Sequence, residues 1–426
     1  MYNKIFQKII FPIAELYSGT TIQKKLKFLL KSQYWSRKKI EGYQNKRLRE
    51  LMEHAYTNVP YYTKLFDKLR LKPSDIKTKK DLKKLPILTK EIIRKNAEEL
   101  RAKNYLRKSY QSFTSGSTGT PMIFYLTKED FSWIWAAHFR KFTWAGCEYG
   151  DKYVKISLNN SRVKVSKKVQ DTLMRCHYIY SDKLNDAAIK TYLDKIRKFS
   201  PKFIYGYSSS LNIIANYINQ NKISINVKAI ISTGDNLLSL YRKNIEKAFK
   251  CKVYDEYGCG GEGLNIAAQC SKGHYHVNDE LIILEEINKQ AIVTSLNNYA
   301  MPLIRYTPND LITLGDNACK LNLSTIKSID GRSKDVVITP KSNLIVHFFT
   351  ILFEYIKGVE QFKIIQKEKQ GIIIQIVKNH NFKDENRIIS KIHQAAGRNF
   401  KVKIEYVSHI LPEKNGKMKI IDNRLK

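Results

Sequence analysis

The sequence predicts a large α/β body followed by a small α+β domain, and three observations carry that prediction. From about residue 111 to 335, short β-rich runs alternate with helical stretches, the pattern of strands in a largely parallel sheet. Residues 1–110, by contrast, read as helices. Beyond the turn-rich segment Ser328-Ile-Asp-Gly-Arg-Ser-Lys-Asp335, strand-like and helical patterns mix once more, over residues 336–426. The chain has 426 residues, 43% of them hydrophobic and 11% aromatic, so it can bury a substantial core and is not a disordered protein. Its length suits two or three domains.

Taken in order, Gln33 to Ala55 sets Ile40, Leu48, Leu51 and Ala55 among Lys, Arg and Glu at helical spacing. Asn58-Val-Pro-Tyr-Tyr62 breaks that helix, since Pro60 disfavours a helical residue before it. Leu85-Pro-Ile-Leu-Thr-Lys90 is a second break, with Thr89 as the N-cap of the helix that follows. The strands expected in the body are Met122–Leu126, Tyr153–Ser157, Lys202–Tyr205, Ala229–Ser232 and Lys252–Tyr254. In the last domain they are Gln361–Gln366, Ile372–Val377 and Lys401–Tyr406. The domains are therefore expected at 1–110, the helical part of the large domain; 111–335, the α/β core; and 336–426, a mobile C-terminal domain.

Net charge is +36, from 75 Lys+Arg against 39 Asp+Glu. Residues 1–110 hold 28 basic and 10 acidic side chains, which is half of the excess in a quarter of the chain. Such a balance favours anionic partners. The rival account is composition, because Lys, Ile, Asn and Tyr are residues that AT-rich codons supply. No run approaches the ~18 apolar residues of a membrane span. Ile5 to Leu16 is apolar but carries Lys8 and Pro12, which makes it a poor signal peptide. Ile5, Phe6, Ile9 and Ile13 are expected to share a helix face flanked by Lys4 and Lys8, so peripheral membrane contact is one reading. Packing of that face onto the body is the other, and Pro12 is expected to end or kink the helix. Six scattered cysteines make no disulfide framework and read as thiols or metal ligands.

The most informative run is Phe113-Thr-Ser-Gly-Ser-Thr-Gly-Thr-Pro121. Small hydroxyl residues and glycines let a backbone fold closely around phosphate oxygens. No Lys-Ser/Thr pair follows the second glycine, so this is not the usual nucleotide loop. A stretch of this kind also serves as a plain turn, and its partners downstream give it weight. They are Ile231-Ser-Thr-Gly-Asp-Asn236, Tyr254-Asp-Glu-Tyr-Gly-Cys-Gly-Gly-Glu262, Arg305-Tyr-Thr-Pro-Asn-Asp310, Gly331-Arg-Ser-Lys-Asp335 and Asn415-Gly-Lys417. In this order they resemble the adenylate-forming enzymes, most closely the phenylacetate–coenzyme A ligase family and its branch encoded with capsular polysaccharide genes. The resemblance covers nearly the whole chain, including Asn58–Tyr62 and Leu85–Lys90.

That resemblance implies a multi-layer adenylate-forming large domain and a small C-terminal one. It also implies ATP-dependent activation of a carboxylic acid to an acyl-adenylate with loss of pyrophosphate, then transfer to an acceptor: a sugar, a carrier or coenzyme A. Ser115, Gly116, Ser117, Thr118 and Gly119 would cradle the phosphates, with Thr118 counted among the catalytic groups. Tyr257 would pack on adenine, with Gly234 and Asp235 lining the base pocket. Glu262 would hold Mg²⁺, a hard cation that takes carboxylate oxygen. Asp310 would accept from the ribose hydroxyls, Arg332 would contact the ribose–phosphate region, and Lys417 would stabilise the α-phosphate. Two departures stand out. Three residues, Cys259-Gly260-Gly261, separate Gly258 from Glu262 where the family has two, and Asn309 replaces the glycine before Asp310. Asn tolerates left-handed backbone angles, so that turn should survive.

Zinc is a further candidate. Relatives are thought to bind it with Cys and His in the region of Cys270-Ser-Lys-Gly-His-Tyr-His276 and Cys319. Leu321 stands where a second cysteine would close the set, leaving Cys270, His276 and Cys319, with His274 or Cys259 as the fourth. The setting expected is cytoplasmic, at most peripheral to the inner face of the membrane, in cell-surface polysaccharide biosynthesis. An aryl-acetate–coenzyme A ligase is the alternative enzyme. A non-catalytic polyanion-binding protein is the alternative of another class, and no nucleic-acid partner is expected.

Overall fold

The computed structural model describes residues 2–114, 122–157, 171–181, 183–316, 319–332, 335–411, 413 and 418–425. They fall into two compact units.

The first unit holds residues 1–150, 256–308 and 312–328. Its helix Arg37–Asn58 turns Ile40, Leu48, Leu51 and Ala55 inward, the face expected from their spacing. The Ser36 hydroxyl opens it, accepting from Lys39 N. The helix stops at Asn58, and Pro60 starts the next helix, Pro60–Leu69, in its first turn, where a missing N–H costs nothing. Thr89 caps Lys90–Lys95 as expected, accepting from Ile92 N. The expected strand Met122–Leu126 runs one residue later, as Ile123–Thr127, paired antiparallel with Ser109–Phe113.

A second sheet in this unit runs in the order of residues 256–259, Leu264–Gln269, Tyr275–Val277, the start of Thr325–Arg332, residues 312–315, Gln290–Ser295 and Ile282–Ile287. The pairings of residues 256–259 with Leu264–Gln269, of that strand with Tyr275–Val277, and of Ile282–Ile287 with Gln290–Ser295 are antiparallel. A largely parallel sheet through 111–335 is thus corrected. The connections explain the difference, since Ile282–Ile287 and Gln290–Ser295 are joined by Asn288 and Lys289 alone, both at positive φ. A two-residue turn of that kind makes a hairpin, and no parallel crossover is so short.

Helix Lys128–Trp144 lies in the same unit. Its Arg140 is fully buried, bonded to Glu280, to Asn278 Oδ1 and to the Leu29 carbonyl. Ser32 Oγ donates to the same Glu280. Losing either member of a buried ion pair costs about 3–5 kcal/mol, because the other is left charged and unpartnered. This knot fixes helix Ile22–Ser32 against the loop before Ile282.

The second unit holds residues 151–255, 309–311 and 329–426. Its parallel strands are Cys176–Tyr180, Tyr153–Ser157, Phe203–Tyr207, Ala229–Thr233 and residues 252–255, side by side in that order. Helices Asp186–Phe199, Ser208–Gln220 and Ser239–Phe249 connect them. Cys176–Tyr180 was not among the expected strands. The rest of this unit is a four-stranded sheet ordered Lys401–Tyr406, Gly371–Lys378, Val359–Glu368, Ile421–Asn423. Ile214, Tyr241 and Ile245 of the parallel part share one hydrophobic core with Phe349, Phe353, Ile364 and Ile374 of the later part.

Candidate active site and metal centre

In the first unit, the backbone of Leu88 donates to Arg305 O at 2.9 Å and accepts from Thr307 N at 3.0 Å. Tyr62 donates its hydroxyl to Pro302 O at 2.9 Å and accepts from Ile304 N at 3.2 Å. The two early sequence breaks therefore hold one loop, and that loop carries Tyr306. The Tyr306 hydroxyl, fully buried, donates to Glu262 Oε1 at 3.0 Å. Tyr306 thus fixes the carboxylate expected to hold magnesium; nothing local in the sequence marks this pairing.

The extra residue before Glu262 is absorbed by a turn, with Gly263 N donating to Gly260 O at 3.2 Å. A Cβ on Gly261 would sit 2.7 Å from Phe113 O and from Thr114 Cα, so only glycine fits there. The turn bearing Glu262 therefore abuts the strand end that leads into the Ser/Thr/Gly run. Tyr257, buried, pairs with Ala267 beside a β-bulge at Gly258. Ser115, Gly116, Ser117, Thr118 and Gly119 lie outside the described residues, as do Lys414 and Lys417.

In the second unit, Arg332 Nε lies 3.9 Å from Asp310 Oδ1. Asn309 has φ 68°, the left-handed turn expected where glycine is replaced. Asp335 belongs to the same group, its N–H donating to Arg332 O at 3.0 Å. Burial pushes the Asp335 carboxyl up, against the pull of Arg332 and Lys419. The sequence marks Asp335 only as the end of a turn-rich segment, and nothing in it signals that this carboxyl feels the charge of Arg332.

Gly234 has φ +83°, and a Cβ there would overlap the Tyr207 ring at 2.2 Å. Asp235 is half-buried and accepts from Ser208 N at 2.8 Å, Ser208 Oγ at 2.6 Å and Ser209 N at 3.3 Å. It caps the N-terminus of Ser208–Gln220 from a neighbouring loop, since Tyr207 provides no side-chain cap. Met418 N reaches the same carboxylate at 3.4 Å. Asp235 thereby tethers the chain directly after Lys417.

The metal candidates do converge. Ligand atoms of Cys270, His274, His276 and Cys319 all lie within 4.8 Å of one another. The sulfurs are 3.9 Å apart, close to the ~3.8 Å expected for two thiolates about 2.3 Å from a shared tetrahedral ion. His276 is fully buried with its ring edge-on to Trp144, and neither ring nitrogen makes a hydrogen bond of good geometry. A buried imidazole left so is costly unless a metal takes it. Burial lowers its pKa to about 4, opposed by the Leu323 backbone and helped by His274 and Arg140, which keeps the ring in the neutral ligand form. The fourth member is His274; Cys259 is not in the cluster.

Residues 337–424 match the CapK C-terminal domain. Protein CapK of Staphylococcus aureus is 27% identical over 90% of this chain and 89% of its own length. Phenylacetate-coenzyme A ligase of Pseudomonas putida is 25% identical over 76% of each chain. Among solved structures, 2-hydroxyisobutyryl-CoA ligase in the postadenylation state, in complex with R3-HIB-AMP, is similar with a TM-score of 0.75. That match covers 92% of this chain and 91% of the ligase at 15% identity, so it shows the fold. The resemblance to adenylate-forming ligases read from the motifs is borne out, as is the α/β fold with a separate C-terminal domain.

Proposed function

We propose that this chain, similar to CapK along nine-tenths of its length, is an ATP-dependent acyl-adenylating enzyme. It joins a carboxylate to the α-phosphorus of ATP, releases pyrophosphate, and passes the acyl group to an acceptor in cell-surface polysaccharide biosynthesis. The observation that carries this reading is the similarity to CapK together with the motif order. Relatives that are phenylacetate–coenzyme A ligases support a second reading, with coenzyme A as acceptor. We place the enzyme in the cytoplasm, where ATP is at hand; no described helix is long and apolar enough to cross a membrane.

Positioning and electrostatics dominate such a reaction. In the proposal, Ser115, Gly116, Ser117, Thr118 and Gly119 bind phosphate oxygens, Tyr257 stacks on the base, and Gly234 and Asp235 are the base-pocket residues that the family resemblance implies. Asp310 accepts from the ribose hydroxyls, held by Arg332. Glu262, oriented by Tyr306, is the group that would hold Mg²⁺, which neutralises phosphate charge when bound. Lys417 stabilises the α-phosphate. Zinc, held by Cys270, His274, His276 and Cys319, would have a structural role.

The test is carboxylate-dependent pyrophosphate exchange over a broad panel of aryl, fatty and amino acids. Exchange with one class identifies the donor, and silence across the panel sinks the adenylation reading. Lys417→Ala should abolish exchange while leaving ATP binding nearly intact. Unchanged turnover in that variant would hand the role to Lys414, the other lysine beside Asn415-Gly416.

A further inference from the structure

The first seventeen described residues form one continuous helical run, and it is two-faced. Tyr2–Ile5, the π-turn Phe6–Ile10 and Phe11–Ser18 follow one another without a break. Pro12 was expected to end or kink this helix, and it does neither. Phe11 N donates to Phe6 O, five residues back, so the wide π-turn makes room for the proline ring and its missing donor.

One face is docked. Phe6 and Phe11 are buried, in edge contact with Tyr149, and Phe11 also meets Phe139. Gly150 leaves the space, since a Cβ there would stand 2.9 Å from Phe6. Phe6, expected on the same face as Ile5, Ile9 and Ile13, is therefore on the opposite one.

The other face is bare. Ile9 is 54% exposed, Ile13 63%, Leu16 86% and Tyr17 95%, with Ile5 exposed as well. Steps of four, four and three residues from Ile5 to Leu16 put these side chains in one stripe. Lys4 and Lys8 are exposed beside it. The helix has one acid, Glu15, and it is turned back to accept from Gln23 N at 3.1 Å. Helix Ile22–Ser32 follows, with Lys24 and Lys27 exposed, and residues 1–110 carry the +18 excess.

We propose that this stripe lies in the interface of an anionic phospholipid membrane, with Ile9, Ile13, Leu16 and Tyr17 entering the acyl boundary and the flanking lysines meeting headgroups. The charge selects this occupant over a second copy of the chain, because two faces from so basic a region repel each other. Lysines that outnumber the exposed acids beside them, Glu148 at Gln7 and Glu129 at Lys25, are drawn to an acidic leaflet. A run of seventeen residues, about 25 Å long, suits a helix lying flat. The proposal is independent of the ligase chemistry, and its test reads binding.

Full-length protein is sedimented with vesicles of phosphatidylcholine alone and with about 30% phosphatidylglycerol. Binding should require the anionic lipid and weaken in salt. The triple variant Ile9→Ser/Ile13→Ser/Leu16→Ser, at sites too exposed to matter for folding, should bind at least about tenfold more weakly. Tyr17→Trp should show a blue-shifted emission on binding, the mark of a ring leaving water. Absence of binding at low salt overturns the proposal. So does equal binding by the triple variant, which would reduce it to diffuse adsorption. A dimer in light scattering that the triple variant dissolves would assign the face to a second copy and overturn it as well.

Discussion

Tyr306 and Glu262 form the most telling pair, because the hydroxyl gives a buried carboxylate its orientation. Tyr306→Phe keeps the ring and removes only the donor. Hydrogen bonds to charged groups contribute about 1.5–3 kcal/mol, so the variant should lose that much stability. Pyrophosphate exchange should fall at least about tenfold if Glu262 serves the reaction; an unchanged rate would detach the pair from catalysis. Asp130 provides a test of pH. Burial pushes its carboxyl up to about 6, although Thr127 donates to it from both N–H and hydroxyl. An acid whose pKa is higher folded than unfolded stabilises the fold most when protonated. Its contribution is full below about pH 4 and lost as pH rises through about 6. Asp130→Asn lacks this slope. The stability difference, wild type minus variant, should therefore drop by about 2 kcal/mol from pH 4 to 7 in urea titrations. Parallel profiles would show that burial is not perturbing the group.

Strands were legible where the information is local. Tyr153–Ser157 and Lys401–Tyr406 end where their β-branched and aromatic runs end. Sheet direction was not, because it depends on connections: the Asn288–Lys289 turn makes a hairpin out of what composition alone leaves open. Phe6 was misplaced on the helix for a related reason, since a π-turn shifts the phase of the face and leaves no mark in spacing. The metal cluster was legible in three members, and the fourth needed the fold. His274 lies on the turn before strand Tyr275–Val277, and Cys270, directly after strand Leu264–Gln269, donates its N–H to the His274 carbonyl at 3.0 Å. A short hairpin thus presents three ligands to Cys319. The purified protein should carry about one zinc per chain by mass spectrometry, and Cys319→Ser or His274→Ala should strip most of it. A chelator should lower the melting temperature of the wild type and not of these variants. Zinc-free protein with the same melting temperature would leave the cluster as an ordinary turn.

At the scale of the whole molecule, the charge of +36 is a destabilising field as well as an attraction to anions. Motifs assign chemistry to few of these cations, chiefly Arg332 and Lys417. Most of the rest sit on exposed surface, and several ion pairs, such as Lys64–Glu99 and Lys403–Glu405, are exposed too. Exposed pairs contribute about 0–1 kcal/mol each, so screening them costs little. Screening the repulsion among the surplus cations should gain more, because at low salt it extends over tens of ångströms. The buried knot of Arg140 and Glu280 is shielded from ions and should not respond. The melting temperature should accordingly rise as NaCl goes from about 20 mM to about 500 mM, with sulfate more effective than chloride. A fall over that range would mean that specific surface pairs outweigh the net field, and that the basic excess is compensated in place. The same titration separates two roles for the charge, since salt that stabilises the fold should also release the protein from anionic vesicles.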